Sequence, residues 1–355
     1  MEIYDEDYIL VTGGAGYIGS HTIIVLLENN YNVVVIDNLV NSNIQSINRV
    51  KEITNCGDGR LHFYNIDLCN KNDLEEVFIK YDKRIKACIH FAGLKAVGES
   101  VEKPLYYYKN NLLSTLNLLE ILDKYECYKL IFSSSSTVYG KAVVPITEKS
   151  TIGVGITNPY GRTKYMLEEI LQDFYKSKKL ENNQNNNKWS IVILRYFNPT
   201  GAHESGKIGE DPNGIPNNLM PYIAEVAVGK REKLTIFGGE YNTHDGTAIR
   251  DYIHVVDLAE GHVKSLIIMK EENKGYGEIS IFNLGTGKGY SVLDMVHGME
   301  KAFNKKIPFI IGNNREGDVD ICYADNTKAL EELQWIPKRD LQIMCDSIMK
   351  WQTKS

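Results

Sequence analysis

Apolar residues along the first two-thirds of the chain fall into short unbroken runs, separated by longer stretches of helical periodicity. The runs are Tyr8 to Thr12, Asn32 to Ile36, Leu61 to Asn65, Ala87 to Phe91, Lys129 to Ser134 and Ile191 to Tyr196. Val33-Val34-Val35-Ile36 leaves no polar face, which is the pattern of a strand covered on both sides, as in a parallel sheet. Two long helices are expected between runs, Pro104 to Tyr125 and Tyr160 to Lys178. In the second, Met166, Leu167, Ile170, Leu171 and Phe174 recur at helical spacing behind a starting proline, Pro159. Strand and helix in alternation predict an α/β fold built on a doubly wound parallel sheet.

After Tyr196 the texture changes to loops rich in Gly, Pro and Asn, at Asn198 to Asn218 and Gly238 to Gly246. A regular segment returns at Ile279 to Leu284 and runs into Gly285-Thr286-Gly287. The expected division is a nucleotide-binding domain over residues 1–197 and a smaller, interleaved α/β substrate domain over 198–355, with 279–287 returning to the first. Ligands of such sheets bind beyond the carboxyl ends of the strands, so the site is expected there. The run Glu181 to Asn187 is of low complexity, rich in Asn, and predicts a surface loop.

Composition narrows the class without naming a chemistry. A chain of 355 residues, 43% apolar, can bury one large or two moderate cores. No apolar run approaches the ~18 residues of a membrane span. The acidic start, Met1 to Asp7, leads straight into the first strand without room for a signal peptide, so a cytosolic location is expected. A net charge of −6 argues against a broad nucleic-acid surface. The six cysteines (Cys56, Cys69, Cys88, Cys127, Cys322, Cys345) have neither metal-ligand nor disulfide-framework spacing, and no metal is expected.

The first candidate chemistry follows the first strand. Gly13-Gly14-Ala15-Gly16-Tyr17-Ile18-Gly19-Ser20 places glycines at 13, 16 and 19 between a strand and a helix, where they allow a tight turn and close approach of a pyrophosphate to the helix N-terminus. Asp37 ends the second strand, 18 residues after Gly19. A carboxylate there accepts hydrogen bonds from ribose hydroxyls and repels a 2′-phosphate, which favours NAD over NADP. Asp67, after the third strand, is a candidate for the adenine side.

The second candidate is a proton relay. Ser133-Ser134-Ser135-Ser136 closes a strand, and Pro159-Tyr160-Gly161-Arg162-Thr163-Lys164 opens a helix, Tyr160 lying 25 residues after Ser135. Tyr160 and Lys164, four apart, share a helix face, so the ammonium is expected to favour the phenolate while the serine hydroxyl relays a proton. Tyr125 to Lys129 and Tyr175 to Lys179 have the same spacing but no upstream serine strand.

With these segments assembled, the chain resembles the extended short-chain dehydrogenase/reductase family and, within it, the UDP-glucose 4-epimerases (UDP-galactose 4-epimerases), from Val11 to about Trp351. The segments that carry the resemblance are Thr12 to Ser20, His90 to Ser100, Pro159 to Lys164, Arg195 to Pro199, Gly214 to Tyr222, Arg250 to Val255 and Arg315 to Asp318. Leu94 to Ser100 and Gly214 to Tyr222 are the ones most specific to the epimerases. The resemblance implies a Rossmann-type fold, a retained NAD, a UDP-hexose substrate inverted at C4 through a 4-keto sugar, and a homodimer built on the two long helices. It makes Tyr160 the catalytic base, Lys164 its electrostatic partner at the nicotinamide ribose, and Ser135 the bridge to the sugar 4-hydroxyl.

By the same resemblance, Tyr17, Ile18, Asn38, Leu68, Phe91, Ala92, Gly93, Lys95, Asn110, Ser133 and Tyr196 join the glycines, Asp37 and Asp67 on the cofactor side, with Lys95 at the pyrophosphate. Asn198, Asn217, Asn218, Leu219, Thr235, Phe237 and Asp318 join the substrate side. Phe237 lies near the uracil, and Arg250 and Arg315 clamp the diphosphate. At Cys322, four residues after Asp318, some bacterial members carry a tyrosine lining the hexose pocket; the smaller thiol implies room for a 2-acetamido group. Two readings compete. A 4,6-dehydratase or decarboxylase of the same superfamily would need an acid after the serine, and Ser135-Ser136-Thr137-Val138-Tyr139-Gly140 has none. A non-catalytic NAD-binding protein would not need the Ser135, Tyr160 and Lys164 set.

Overall fold

The structure is a computed structural model that describes residues 6–181, 188–212, 214, 216, 218–269, 278–314 and 318–354. Its first part alternates β1 (Tyr8–Thr12), α1 (Tyr17–Glu28), β2 (Asn32–Asp37), α2 (Ile44–Thr54), β3 (Leu61–Asn65), α3 (Lys71–Tyr81) and β4 (Ile85–His90). There follow α4 (Val97–Glu102), α5 (Pro104–Lys124), β5 (Lys129–Ser133), α6 (Pro159–Glu181) and β6 (Ser190–Tyr196). The rest comprises β7 (Asn198–Thr200), α7 (Leu219–Ala227), β8 (Leu234–Phe237), β9 (Ile249–His254), α8 (Val255–Ile268) and β10 (Ile279–Leu284). It closes with β11 (Gly289–Ser291), α9 (Val292–Phe303), β12 (Phe309–Gly312), β13 (Ile321–Cys322), α10 (Thr327–Glu332) and α11 (Leu341–Lys354).

Seven strands form the main sheet in the order β10-β6-β5-β4-β1-β2-β3. From β3 to β6 every neighbouring pair is parallel, the doubly wound arrangement that continuous apolar runs such as Val33 to Ile36 require to bury both faces. Asp37 continues the ladder opposite Asn65, so β2 runs one residue further than its apolar run, whereas Phe91 and Ser134 fall just outside their strands. The core on one face joins Leu10, Val34, Phe78, Leu118, Leu122, Phe132, Leu167, Leu171 and Trp189. Met166, one step from that stripe, lies 40% exposed; the packed face of α6 is Leu167 and Leu171, with Ile170 and Phe174 at its margin.

Two compact units divide the chain: Met1–Gly140 with Ile152–Arg195 and Ala259–Phe282, and Lys141–Thr151 with Tyr196–Leu258 and Asn283–Ser355. The Asn-rich stretch 182–187 lies outside the described residues. In the second unit β9 is central, pairing with β7, β11 and β13, while α7, α9 and α11 share an apolar core that includes Ile223, Met295, Met299 and Met344. The buried carboxylate of Asp251 on β9 accepts the N–H groups of Thr286 (2.8 Å), Gly287 (3.1 Å) and Ala324 (3.1 Å) and the hydroxyl of Thr286 (2.6 Å). It thereby ties the Gly285 to Gly287 turn and the chain after β13 to the central strand. Among the described residues no helix is long and apolar enough to cross a membrane, and all six cysteines are free.

The topological switch point of the sheet lies between β1 and β4, whose connections leave toward opposite sides. His90 closes β4 there. Its Nδ1 meets the Thr12 hydroxyl at 2.7 Å and its Nε2 the Thr115 hydroxyl at 2.9 Å, so the ring bolts β1 and β4 to α5. Burial, with a smaller contribution from the Lys164 charge, pushes its pKa down to about 3. Because the folded value lies below the ordinary 6.5, the unfolded chain binds more protons below that pH, and His90 removes stability as the pH falls. The contribution between pH 6.5 and 5 is about 2 kcal/mol. Urea titrations at the two pH values should show wild type losing about that much more stability than His90→Gln; parallel losses would contradict a buried neutral imidazole.

Candidate active site

The glycine loop fills the switch point because only glycine fits it. Gly13 has φ +67°, and a Cβ there would lie 2.6 Å from the backbone nitrogen of Ala92; a Cβ on Gly19 would lie 2.4 Å from the carbonyl of Gly13. The Gly13 N–H donates to Ile36 O at 2.7 Å and the Phe91 N–H to Thr12 O at 3.0 Å, so the loop is held between β2 and the segment leaving β4. α1 starts at Tyr17 behind Gly16, with neither a capping side chain nor an acid in its first turn. Its leading N–H groups and the positive end of the helix dipole therefore suit a pyrophosphate. These features of backbone and dipole fit a dinucleotide.

Asp37, 8% exposed, uses one carboxylate oxygen for Ala15 N–H (3.0 Å) and the other for Leu39 N–H (2.9 Å) and the Ser42 hydroxyl (2.8 Å). It is both a turn aspartate and a tether of the glycine loop. Asn38 donates to Asp67 at 3.2 Å, which brings these two candidates together, and Leu68 is buried beside them in sequence. On the other side of the loop, Phe91 and Ala92 pass over Gly13, while Lys95 is exposed. Phe91 also faces the ring of His262, with centroids 4.7 Å apart.

Asn110 is half-buried and donates to Asn111 at 3.1 Å. The buried anchor is its neighbour Asn111, which accepts from Leu94 N (2.8 Å) and donates to Leu94 O (3.1 Å) and the Thr163 hydroxyl (3.1 Å). Asn111 thus couples the loop after β4 to α6, a role the sequence did not reveal.

Ser135 follows β5 and caps the short 3₁₀ turn Ser136–Tyr139, accepting the Thr137 N–H at 3.3 Å. Its hydroxyl lies by the Tyr160 phenol, where it favours the ionised form. Tyr160 is 8% exposed and packs against Leu94 and Tyr107. Lys164, one helical turn on, donates from Nζ to the Ser133 carbonyl at 2.7 Å and lies 4.9 Å from the centre of the Phe132 ring. The three side chains named from the sequence do converge on the end of β5.

Their electrostatics differ from the simple expectation. Burial raises the Tyr160 pKa above that of an ordinary phenol, and the Ser135 hydroxyl only partly offsets it. Burial also lowers Lys164 to about 8, against an opposing pull from Glu168. Within the protein's own atoms Tyr160 rests as the phenol, and its ionisation calls for a further positive charge close by. Tyr125 and Tyr175 lack this setting: Tyr125 lies just past the end of α5, and Tyr175 packs at the margin of the core.

A buried ionic network beneath the relay went unread. Glu168, fully buried on α6, accepts from Arg195 Nε (3.0 Å) and Nη2 (2.6 Å) and from the Ser134 hydroxyl. Arg195 on β6 also donates to the Tyr139 hydroxyl at 3.0 Å. Ser133, between these groups and Lys164, has its hydroxyl 3.2 Å from His262 Nε2. The signal available was Arg195, a lone charge in the apolar run Ile191 to Phe197; Glu168, beside Glu169 on an amphipathic helix, gave none.

The second unit carries the other candidates. Arg250 and Cys322 are paired across β9 and β13, so they are lateral neighbours. The Arg250 guanidinium donates to Ile249 O at 2.9 Å and lies 3.8 Å from Asp318, while the adjacent Asp251 is engaged elsewhere. Thr235 and Phe237 lie on β8, with Phe237 41% exposed. Asn198 begins β7 and is exposed, as is Asn218, which donates to Glu210 at 2.7 Å; Leu219 begins α7 and Tyr196 ends β6. Asn217 and Arg315 lie outside the described residues.

With this geometry in hand, comparison with known proteins is specific. The family described as GDP-mannose 4,6 dehydratase matches residues 10–348. The chain is 54% identical to a UDP-glucose 4-epimerase of Bacillus subtilis over 348 residues, covering 98% of this chain and 97% of that protein. It is 51% identical to a human UDP-glucose 4-epimerase, with 98% and 97% covered. Among solved structures, a UDP-glucose 4-epimerase from Bifidobacterium longum, in complex with NAD+ and UDP, superposes with a TM-score of 0.89 at 47% identity, covering 98% of each chain. The dehydratase description marks the wider group. Near-full-length identity of about half places this chain on the epimerase side of it: the chain belongs to the UDP-glucose 4-epimerase family.

Proposed function

We propose that this protein interconverts UDP-galactose and UDP-glucose by inverting C4 of the hexose, with NAD retained as a cofactor. The observation that carries the reading is the convergence of Ser135, Tyr160 and Lys164 at the end of β5, with Lys164 anchored to the Ser133 carbonyl, in the same unit as a glycine loop shaped for a pyrophosphate. NAD, when bound, supplies the acceptor and donor of a hydride at C4. Gly13, Gly16, Tyr17, Ile18 and Gly19 would hold its pyrophosphate, Asp37, Asn38, Asp67 and Leu68 its adenosine, and Phe91 to Lys95, Asn110, Ser133, Lys164 and Tyr196 the remainder.

In this mechanism Tyr160 removes the O4 proton, directly or through Ser135. Lys164, together with the positive charge a bound nicotinamide would bring, would have to outweigh burial for the phenol to act as base. A 4-keto sugar so formed would turn and take the hydride back on its other face, with Tyr160 returning the proton. Turning requires a firmly held nucleotide and a loosely held hexose, a use of remote binding energy. Arg250, Arg315, Asn198, Asn217, Asn218, Leu219, Thr235 and Phe237 are assigned to that grip; the loose Arg250 to Asp318 pair at 3.8 Å leaves the guanidinium available for a diphosphate. Elimination chemistry is disfavoured, because Glu168, a buried carboxylate near the relay, is already committed to Arg195 and Ser134. A cytosolic homodimer completes the reading, with Leu105 and Leu116 of α5 and Met166 of α6 providing exposed apolar surface for a helical interface.

A proton NMR time course on purified protein with UDP-galactose, and no added nicotinamide, should show UDP-glucose growing to a constant ratio. Tyr160→Phe should reduce that rate by at least about 100-fold, in line with loss of general-base catalysis, while UDP binding is retained. Wild-type-like turnover in the variant would remove Tyr160 from the role of base.

Lys164→Met separates function from stability. The folded pKa of about 8 is below the ordinary 10.5, so burying the ammonium costs stability fully below pH 8 and less as the pH rises toward 10.5. The cost is on the order of 3 kcal/mol, partly offset by about 1 kcal/mol from the bond to Ser133 O. At pH 7 the variant should lose turnover yet unfold at equal or higher urea concentration; a clearly lower midpoint would contradict this account.

Cys322, beside Arg250 in the sheet, is assigned to the hexose pocket, where a thiol leaves room for a 2-acetamido group. The same NMR assay should then show interconversion of UDP-N-acetylglucosamine and UDP-N-acetylgalactosamine. Cys322→Tyr should suppress this reaction at least about 10-fold, as expected when a substituent is sterically rejected, and leave the plain hexoses active. Equal effects on both pairs would refute the pocket assignment.

A further inference from the structure

The Glu168, Arg195 and Ser134 cluster has no part in the proposed chemistry, yet it is built into the strand end that carries it. Ser134 is flanked by Ser133, whose carbonyl receives Lys164, and by Ser135, whose hydroxyl lies by the Tyr160 phenol. Its own hydroxyl is turned the other way, onto Glu168. Glu168 stands one helical turn beyond Lys164 on the same face of α6 and is fixed by a two-pronged contact from Arg195. Arg195 is immobilised by Tyr139, at the end of the 3₁₀ turn that Ser135 caps. The backbone closes the circuit, since the Ser134 N–H donates to Leu194 O, next to Arg195, at 2.9 Å.

We infer that Glu168 is a positioning residue of the proton relay: through Ser134 and Arg195 it sets the Ser133 to Ser135 strand end against α6, and it places a carboxylate one helical turn from Lys164. This inference rests on the relay assigned above. A buried ion pair contributes little net stability compared with an apolar pair of similar size, so its presence here suits a demand for geometry and charge. Ser134 fixes the turn that aims Ser135 at Tyr160, and small misplacements of reacting groups are costly. Glu168 provides a negative charge near Lys164, while other titratable or charged groups around the relay are Tyr160, His90, His262, Arg195 and Tyr139. His90 is held neutral by burial, and Arg195 is positive. Glu168 is therefore the group whose charge opposes burial at Lys164.

The test compares wild type, Glu168→Gln and Ser134→Ala in the NMR epimerisation assay across pH 6 to 10, together with UDP affinity by calorimetry. Glu168→Gln keeps size and a hydrogen-bonding oxygen but removes the charge. It should lower kcat about 10-fold or more, move the alkaline limb of the kcat profile down by about one pH unit, and leave UDP affinity unchanged. Ser134→Ala should lower kcat about 10-fold without moving that limb. A folded Glu168→Gln with the wild-type limb overturns the inference. If that variant does not fold, Ser134→Ala decides: wild-type kcat overturns the inference and a selective fall in kcat supports it. Failure of wild type to epimerise would instead overturn the function on which the inference rests.

Discussion

The organising constraint of the first unit is the placement of a cationic side chain where water cannot reach it. Lys164 can stand inside the fold only because Ser133 offers a carbonyl at 2.7 Å, Phe132 a ring face, and Glu168 an opposing charge. Each partner belongs to the end of β5 or to α6, so stabilising the ammonium also fixes the helix on the strand. Tyr160 and Ser135 meet as a consequence of that docking.

The glycine loop obeys a constraint of space in place of charge. β1 and β4 are parallel neighbours, and the chain leaving β4 passes so close to Gly13 that no side chain fits. His90, shared between Thr12 and Thr115, holds this crossing together. The same closeness keeps the leading amides of α1 available for a pyrophosphate, which accords with the NAD+ bound to the Bifidobacterium longum relative.

In the second unit, a single carboxylate performs the corresponding work. Asp251 gathers amides from the Gly285 to Gly287 turn and from Ala324, which fixes β13 alongside β9 and sets Cys322 beside Arg250. A buried aspartate adjacent to an arginine in sequence invites the reading of an ion pair. In a strand, however, successive side chains point to opposite faces, and Asp251 turns to backbone amides while Arg250 lies near Asp318.

Much of this was legible in the chain alone. The apolar runs specify parallel strands because burial on both faces leaves a one-dimensional signature, and the strands stand within a residue or two of those runs. Gly13, Gly16 and Gly19 and the pairing of Tyr160 with Lys164 are equally legible, since tight turns and helical faces are local in sequence. The contacts of Asn111 with Leu94 and Thr163, of Glu168 with Arg195 and Ser134, and of His90 between two threonines were decided only in three dimensions. Their partners lie between 17 and 78 positions apart in the chain. The sequence by itself determined the strands of the main sheet, the two long helices and the candidate reactive side chains, because these depend on neighbours along the chain, whereas the short strands β7 to β9 and β11 to β13 left no such signature. The protonation of Tyr160 and Lys164 and the network beneath them were decided by tertiary structure, because desolvation and distance exist only once remote segments have packed together.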